Sequence, residues 1–152
     1  MKTKTKTAVD SFSVRSGKVT FGDPCYETNK SVKAQKGEWT AHVVFSDEGS
    51  WGRRVKRLVV HRDDFNPADR RIVVKTKTFG VDSGQAGVFD SAVYGEGTFY
   101  DDCCKATLGR TQWGYLVGGV VSSSGFGDGG YEAEVHLLGD EAVCVELVFI
   151  ED

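Results

Sequence analysis

The stretch Glu38-Trp39-Thr40-Ala41-His42-Val43-Val44-Phe45 decides the fold class, because its apolar residues fall on every second position. Successive side chains of a strand point to opposite faces, so Trp39, Ala41, Val43 and Phe45 line one face of a β-strand and bury it. Outward from this segment the same period recurs. Val55–His61 and Arg71–Val74 read as strands, with the turn-rich Phe65-Asn66-Pro67-Ala68-Asp69 between them. Trp113–Val121, Tyr131–Leu138 and Ala142–Ile150 follow as further strands. The last of these carries Val143, Val145, Leu147 and Phe149 on one face and Cys144, Glu146, Val148 and Ile150 on the other, apolar enough on both sides to suit a central strand.

One segment departs from the pattern. In Thr98–Gly109, Phe99, Cys103, Cys104, Ala106 and Leu108 recur at roughly helical spacing. Thr98 is placed to cap the start, Asp101 and Asp102 suit the first turn, and Gly109 suits the end. Cys103 and Cys104 would then pack this short helix against a sheet. The expectation is a mainly β, single-domain protein: a β-sandwich or partly rolled antiparallel sheet of eight or nine strands with one or two short helices. A flexible N-terminal tail over residues 1–10 precedes one β-rich domain over 11–152.

A chain of 152 residues with 39% hydrophobic positions carries material for one core. The formal charge of −3 gives no general attraction for nucleic acid or anionic lipid, although Arg53, Arg54, Lys56, Arg57 and Arg62 cluster locally. No apolar run reaches the roughly 20 residues of a membrane span, and the Lys/Thr-rich start is unlike a signal peptide. Cys25, Cys103, Cys104 and Cys144 follow no zinc or C-x-x-C spacing, so free thiols in a reducing cytoplasm are expected.

Fourteen of the 19 glycines lie between Gly80 and Gly139. They fall largely in two of three stretches that each join a carboxylate to permissive backbone: Ser16–Tyr26, containing Gly22-Asp23-Pro24-Cys25-Tyr26; Gly80–Asp90, containing Asp82-Ser83-Gly84-Gln85; and Ser122–Tyr131, containing Ser124-Gly125-Phe126-Gly127-Asp128. Glycines let main-chain N–H groups converge, and a neighbouring carboxylate accepts hydrogen bonds from hydroxyls or amines. Candidate ligand-binding residues are Asp23, Cys25, Tyr26, Asp82, Ser83, Gln85, Asp90, Ser124, Asp128 and Tyr131. The competing role for Asp23, Asp82, Asp90 and Asp128 is to form turns and cap local N–H groups. The calcium-loop, phosphate-loop and dinucleotide patterns are missing, so no metal or cofactor is expected. Tyr26, Trp51, Trp113 and Tyr131 stand beside or near glycine-rich turns, where an exposed ring would stack on a planar ligand, with core packing the favoured role for Trp113 as for Trp39.

The three stretches, in this order, resemble the bacterial and phage proteins grouped as domain of unknown function 4241, over roughly Ser16–Ile150. The elements concerned are an early SG…DP, a middle VDSG…D and a late SSGxGDGxY before a final apolar strand, with the GDPCY and YxxCC features of compact phage-borne members. The resemblance implies a phage or bacterial origin, hence a bacterial or host cytoplasm, and no mechanism. Three functions stay open. The first is binding or sequestering a small polar, nucleotide-like ligand. The second is a hydrolase acting on a phosphoester, glycosidic or amide bond through Asp82 and Asp128, or through Cys25 or a serine with one of His42, His61 and His136. The third is a protein-interaction or immunity module.

Overall fold

The computed structural model describes residues 11–25, 29–95, 97 and 99–151. The tail over residues 1–10, Tyr26 and the capping position Thr98 lie outside them. The chain is mainly β, with two antiparallel sheets, one helix and a 3-10 turn. Eleven strands are present among the described residues: β1 (Phe12–Val14), β2 (Lys18–Gly22), β3 (Lys30–Lys33), β4 (Gly37–Asp47), β5 (Arg53–Arg62), β6 (Val73–Val81), β7 (Gln85–Asp90), β8 (Trp113–Leu116), β9 (Gly119–Ser123), β10 (Gly129–Leu138) and β11 (Glu141–Val148). The helix α1 spans Phe99–Thr107, and the 3-10 turn spans Gly49–Trp51.

The larger sheet runs β1-β4-β5-β11-β10-β6 and the smaller β3-β2-β7-β9-β8. Their inner faces share one core. Trp39, Leu58, Val135 and Leu147 from the first sheet meet Phe21, Val88 and Val120 from the second. Strand β4 buries Trp39 and packs Ala41, Val43 and Phe45 against that core, as the period-two pattern requires. Strand β11 is central and apolar on both faces, as expected.

A second, smaller core covers the outer face of the five-stranded sheet. Phe89, Val121 and Leu116 lie under Phe99 and Cys103, one turn apart on α1. Strand β7 is therefore buried at all six positions, with Ala86 and Val88 facing the sandwich and Phe89 facing the helix. Gly87 is required here. A Cβ on it would lie 2.3 Å from the Val120 carbonyl oxygen and 2.5 Å from the Phe89 ring, which occupies that space.

Three strand readings need correction. Trp113–Val121 is the hairpin β8–β9, folded at Val117-Gly118, where Gly118 adopts φ +80°. The strand expected at Arg71 starts at Val73 and runs on to Val81. Lys18–Gly22 and Gln85–Asp90, read as parts of glycine-rich stretches, are strands at the centre of the smaller sheet.

The sheets are also joined by polar contacts. Beyond its three-residue pairing with β1, strand β4 has a bare edge at Ala41. The Tyr115 hydroxyl accepts from the Ala41 N–H at 2.8 Å and donates to its carbonyl at 3.1 Å, serving both main-chain groups from the opposite sheet.

Candidate functional site

Four turns meet at one end of the sandwich, and Asp23 ties two of them together. Its fully buried carboxylate accepts the Cys25 N–H at 2.8 Å and the Ser83 hydroxyl at 2.7 Å on one oxygen. The other oxygen takes the N–H groups of Asp82 and Ser83 at 2.7 and 2.8 Å. The first glycine-rich stretch is thus clamped to the second. The Asp23 carbonyl accepts from the Tyr94 hydroxyl at 3.0 Å and from the Asn29 amide. Asn29 also explains Gly22, at φ +131°, because a Cβ there would lie 2.5 Å from the Asn29 side-chain oxygen. Burial raises the Tyr94 hydroxyl well above its ordinary pKa, and the hydroxyl stays protonated as a donor.

The third stretch joins through the main chain, with the Ser124 N–H donating to the Gly84 carbonyl at 3.2 Å. Within that turn the Ser124 hydroxyl and the Tyr131 hydroxyl both donate to the Gly127 carbonyl, at 2.9 and 2.6 Å. Tyr131 also donates to the Ser124 carbonyl at 3.1 Å and packs its ring on Phe79 and Phe149. Burial raises its pKa too. Asp23, Ser83, Ser124 and Tyr131 therefore use their polar atoms to shape the turns. Asp82 and Asp128 are exposed on the same rim.

The fourth turn is the β4–β5 connection. Its Trp51 is 67% exposed and stands edge-on to Phe126, 51% exposed, with ring centroids 6.4 Å apart. The Arg54 guanidinium lies 5.3 Å from the Phe126 ring centroid, donates from Nε to the Trp51 carbonyl at 2.9 Å, and reaches the Gly125 carbonyl at 3.4 Å. Arg53 lies on the Phe45 ring at 4.0 Å and donates to the Arg110 carbonyl at 3.1 Å. The exposed Trp51 ring and the Arg54 guanidinium thus border the third stretch, which contributes the exposed Phe126 ring. The sequence points to Trp51 through its position near glycines. Phe126 and Arg54 were not singled out as contacts, since a sequence does not show which aromatic in a turn faces outward.

Asp90 does not join this rim. Antiparallel pairing sets Val19 opposite Asp90 and Gly22 opposite Gly87, which puts Asp90 at the far end of the strands from Asp23. There it accepts from the Arg15 N–H at 2.9 Å, the Ala92 N–H at 3.3 Å and the Ser16 hydroxyl, beside an open groove of about 410 Å³ that Arg15, Glu38 and Leu116 also line. Burial opposes ionisation of this carboxyl, and the donated hydrogen bonds outweigh it, so its pKa falls below the usual range.

The histidines lie elsewhere again. Pairing aligns Thr40, His61, Cys144 and His136 in one row across the larger sheet, with His42 two positions beyond Thr40 on the same side. Cys25 belongs to the end of the smaller sheet, so the geometry does not unite it with a histidine. On the histidine face, Glu134, His136 and Glu146 bring potential ligand atoms within 4.8 Å of one another, the one such grouping among the described residues. Arg57 already pairs with both carboxylates, 2.8 Å from Glu146 and 3.8 Å from Glu134. His136 against Glu146, followed by Arg57, holds the Glu146 carboxyl below its ordinary pKa in spite of burial. The arrangement is an ion-pair network.

Gln85 and Cys25 remain. Gln85 is buried at the start of β7. Its side-chain carbonyl accepts the Thr107 hydroxyl at 2.9 Å, and its amide nitrogen faces the sulfurs of Cys104 at 3.8 Å and Cys25 at 4.0 Å.

Set against known proteins, the chain matches no family model, no curated protein and no solved structure. Fold and rim define its class as a mainly β protein of two antiparallel sheets with a turn-built, aromatic and arginine-bearing end. No helix among the described residues is long and apolar enough to cross a membrane.

Proposed function

We propose that this protein binds a small, planar, anionic ligand of nucleotide-like chemistry at the rim, as a binding or sequestering module. The observation that carries this reading is the exposed Trp51–Phe126 pair with Arg54 beside it. An exposed aromatic surface offers stacking to a flat ring system, and an oriented guanidinium suits a phosphate or carboxylate. Asp82 and Asp128, exposed nearby, are the groups placed to accept hydrogen bonds from sugar hydroxyls or exocyclic amines. Asp23, Ser83, Ser124 and Tyr131 support the site by holding its turns. The resemblance to domain of unknown function 4241 belongs with this proposal, as does a phage or bacterial setting.

The test is calorimetry and tryptophan fluorescence with a panel of mononucleotides, cyclic nucleotides and dinucleotides. Base stacking on an aromatic contributes roughly 1–3 kcal/mol. Trp51→Leu and Phe126→Leu should therefore weaken the best ligand about fivefold or more, and Arg54→Ala should weaken it while reducing its salt dependence. Absence of heat and of fluorescence change across the panel, or undiminished binding in both aromatic variants, would refute the reading.

A further inference from the structure

We infer that Cys25 and Cys104 form an oxidation site, in which two thiols far apart in sequence join as a reversible disulfide tying the Asp23 loop to α1. Three of the four cysteines gather beside Gln85, and their surroundings sort them. Cys25 and Cys104 are exposed, whereas Cys103 is fully buried. Burial, reinforced by the neighbouring Cys104 and Cys25, pushes the Cys103 thiol up to about 12 and keeps it unreactive. Cys144 is buried on the larger sheet, its thiol raised still further by burial and by Glu146. The two accessible sulfurs rest against one amide nitrogen, 4.0 and 3.8 Å from it, and Thr107 holds that amide in place. Because both contact one atom, the two sulfurs lie no more than about 8 Å apart, a gap that χ1 rotation of the two cysteines has to close for the link to form.

The oxidant is a low-molecular-weight disulfide such as glutathione disulfide. One thiolate, for instance that of Cys104, attacks a glutathione sulfur, breaking the glutathione S–S bond and expelling one glutathione thiolate. The Cys25 thiolate then attacks the Cys104 sulfur of the mixed disulfide and expels the second. The cysteine pair loses two electrons, the glutathione disulfide gains them, and the two thiol protons end on the released glutathione. The linked chain has its rim loop fastened to the helix that covers the smaller sheet.

The intact chain is incubated with glutathione disulfide, quenched with acid and N-ethylmaleimide, and mapped by non-reducing mass spectrometry. Maleimide uptake by the native chain should fall from two thiols to none, with a linked peptide joining Cys25 to Cys104. Cys103→Ser, which leaves one cysteine of the adjacent pair, should retain that link. Cys25→Ser and Cys104→Ser should stop at a glutathione adduct on the remaining thiol. Glutathione adducts on both thiols without a link, thiols that stay open to maleimide, or a link that passes to Cys103 would each overturn the inference.

Discussion

Replacing Asp23 by alanine should cost more stability than any other single change on the rim, because one buried carboxylate accepts four hydrogen bonds, one from Cys25 in its own turn and three from Asp82 and Ser83, 59 and 60 residues away in sequence. Hydrogen bonds to charged groups contribute about 1.5–3 kcal/mol each, and they are not additive. Asp82 and Ser83 lie at the surface and can regain water, whereas the buried space left by Asp23 supplies no acceptor. The net loss should be about 3–5 kcal/mol, a large share of the roughly 5–15 kcal/mol that holds a domain together. For a chain of this size that lowers Tm by roughly 10–15 °C. Asp23→Asn should fall between wild type and alanine, because each oxygen serves two donors and an amide nitrogen in either position faces donors only. Urea unfolding followed by fluorescence measures both, with the midpoint shifted and the slope unchanged. Exposed Asp128→Ala is the control and should stay within about 0.5 kcal/mol. A loss below about 1 kcal/mol for Asp23→Ala would refute the clamp.

Gly87→Ala should destabilise by about 1–3 kcal/mol, since the added methyl meets the Val120 carbonyl and the Phe89 ring; a thermal melt matching wild type would contradict that packing. Tyr115→Phe should cost about 1–2 kcal/mol by stripping Ala41 of the hydroxyl that serves both its main-chain groups, read from the urea midpoint. Asp90 has a depressed pKa in the folded chain, so its contribution is present above the unfolded carboxyl value of about 3.9 and is lost as pH falls through the lower folded value. Asp90→Asn should therefore lower stability at neutral pH and flatten the acid limb of a stability profile below about pH 4. An unchanged limb would show that the hydrogen bonds from Arg15 and Ser16 do not set the acid response.

Long strands with one face in the core, such as β4 and β5, were legible, and β7, buried on both faces beneath the helix, was not. Trp39 and its alternating neighbours face inward because nothing in β4 competes with the period-two signal. In β7 the alternation disappears, since Gln85, Gly87 and Phe89 are as buried as Ala86 and Val88. Gly87 and Gly119 then look like loop glycines, although their missing side chains leave room for the Phe89 ring. Composition thus overstated how much glycine serves a site. The meeting of the three stretches at one end is carried by main-chain bonds to Asp23 and Gly84, which residue types alone do not encode. Asp23 and Asp90 occupy similar glycine-rich contexts, and only antiparallel pairing shows that they belong to opposite ends.

Because Asp23 reads the 82–83 turn mainly through peptide N–H groups, it is indifferent to the side chain at position 82. The same clamp would hold a turn carrying a base, an amide or an aromatic there. Under the proposed ligand-binding role, stability and recognition would be partly uncoupled at this rim, because the Asp23 clamp does not run through the side chain at position 82.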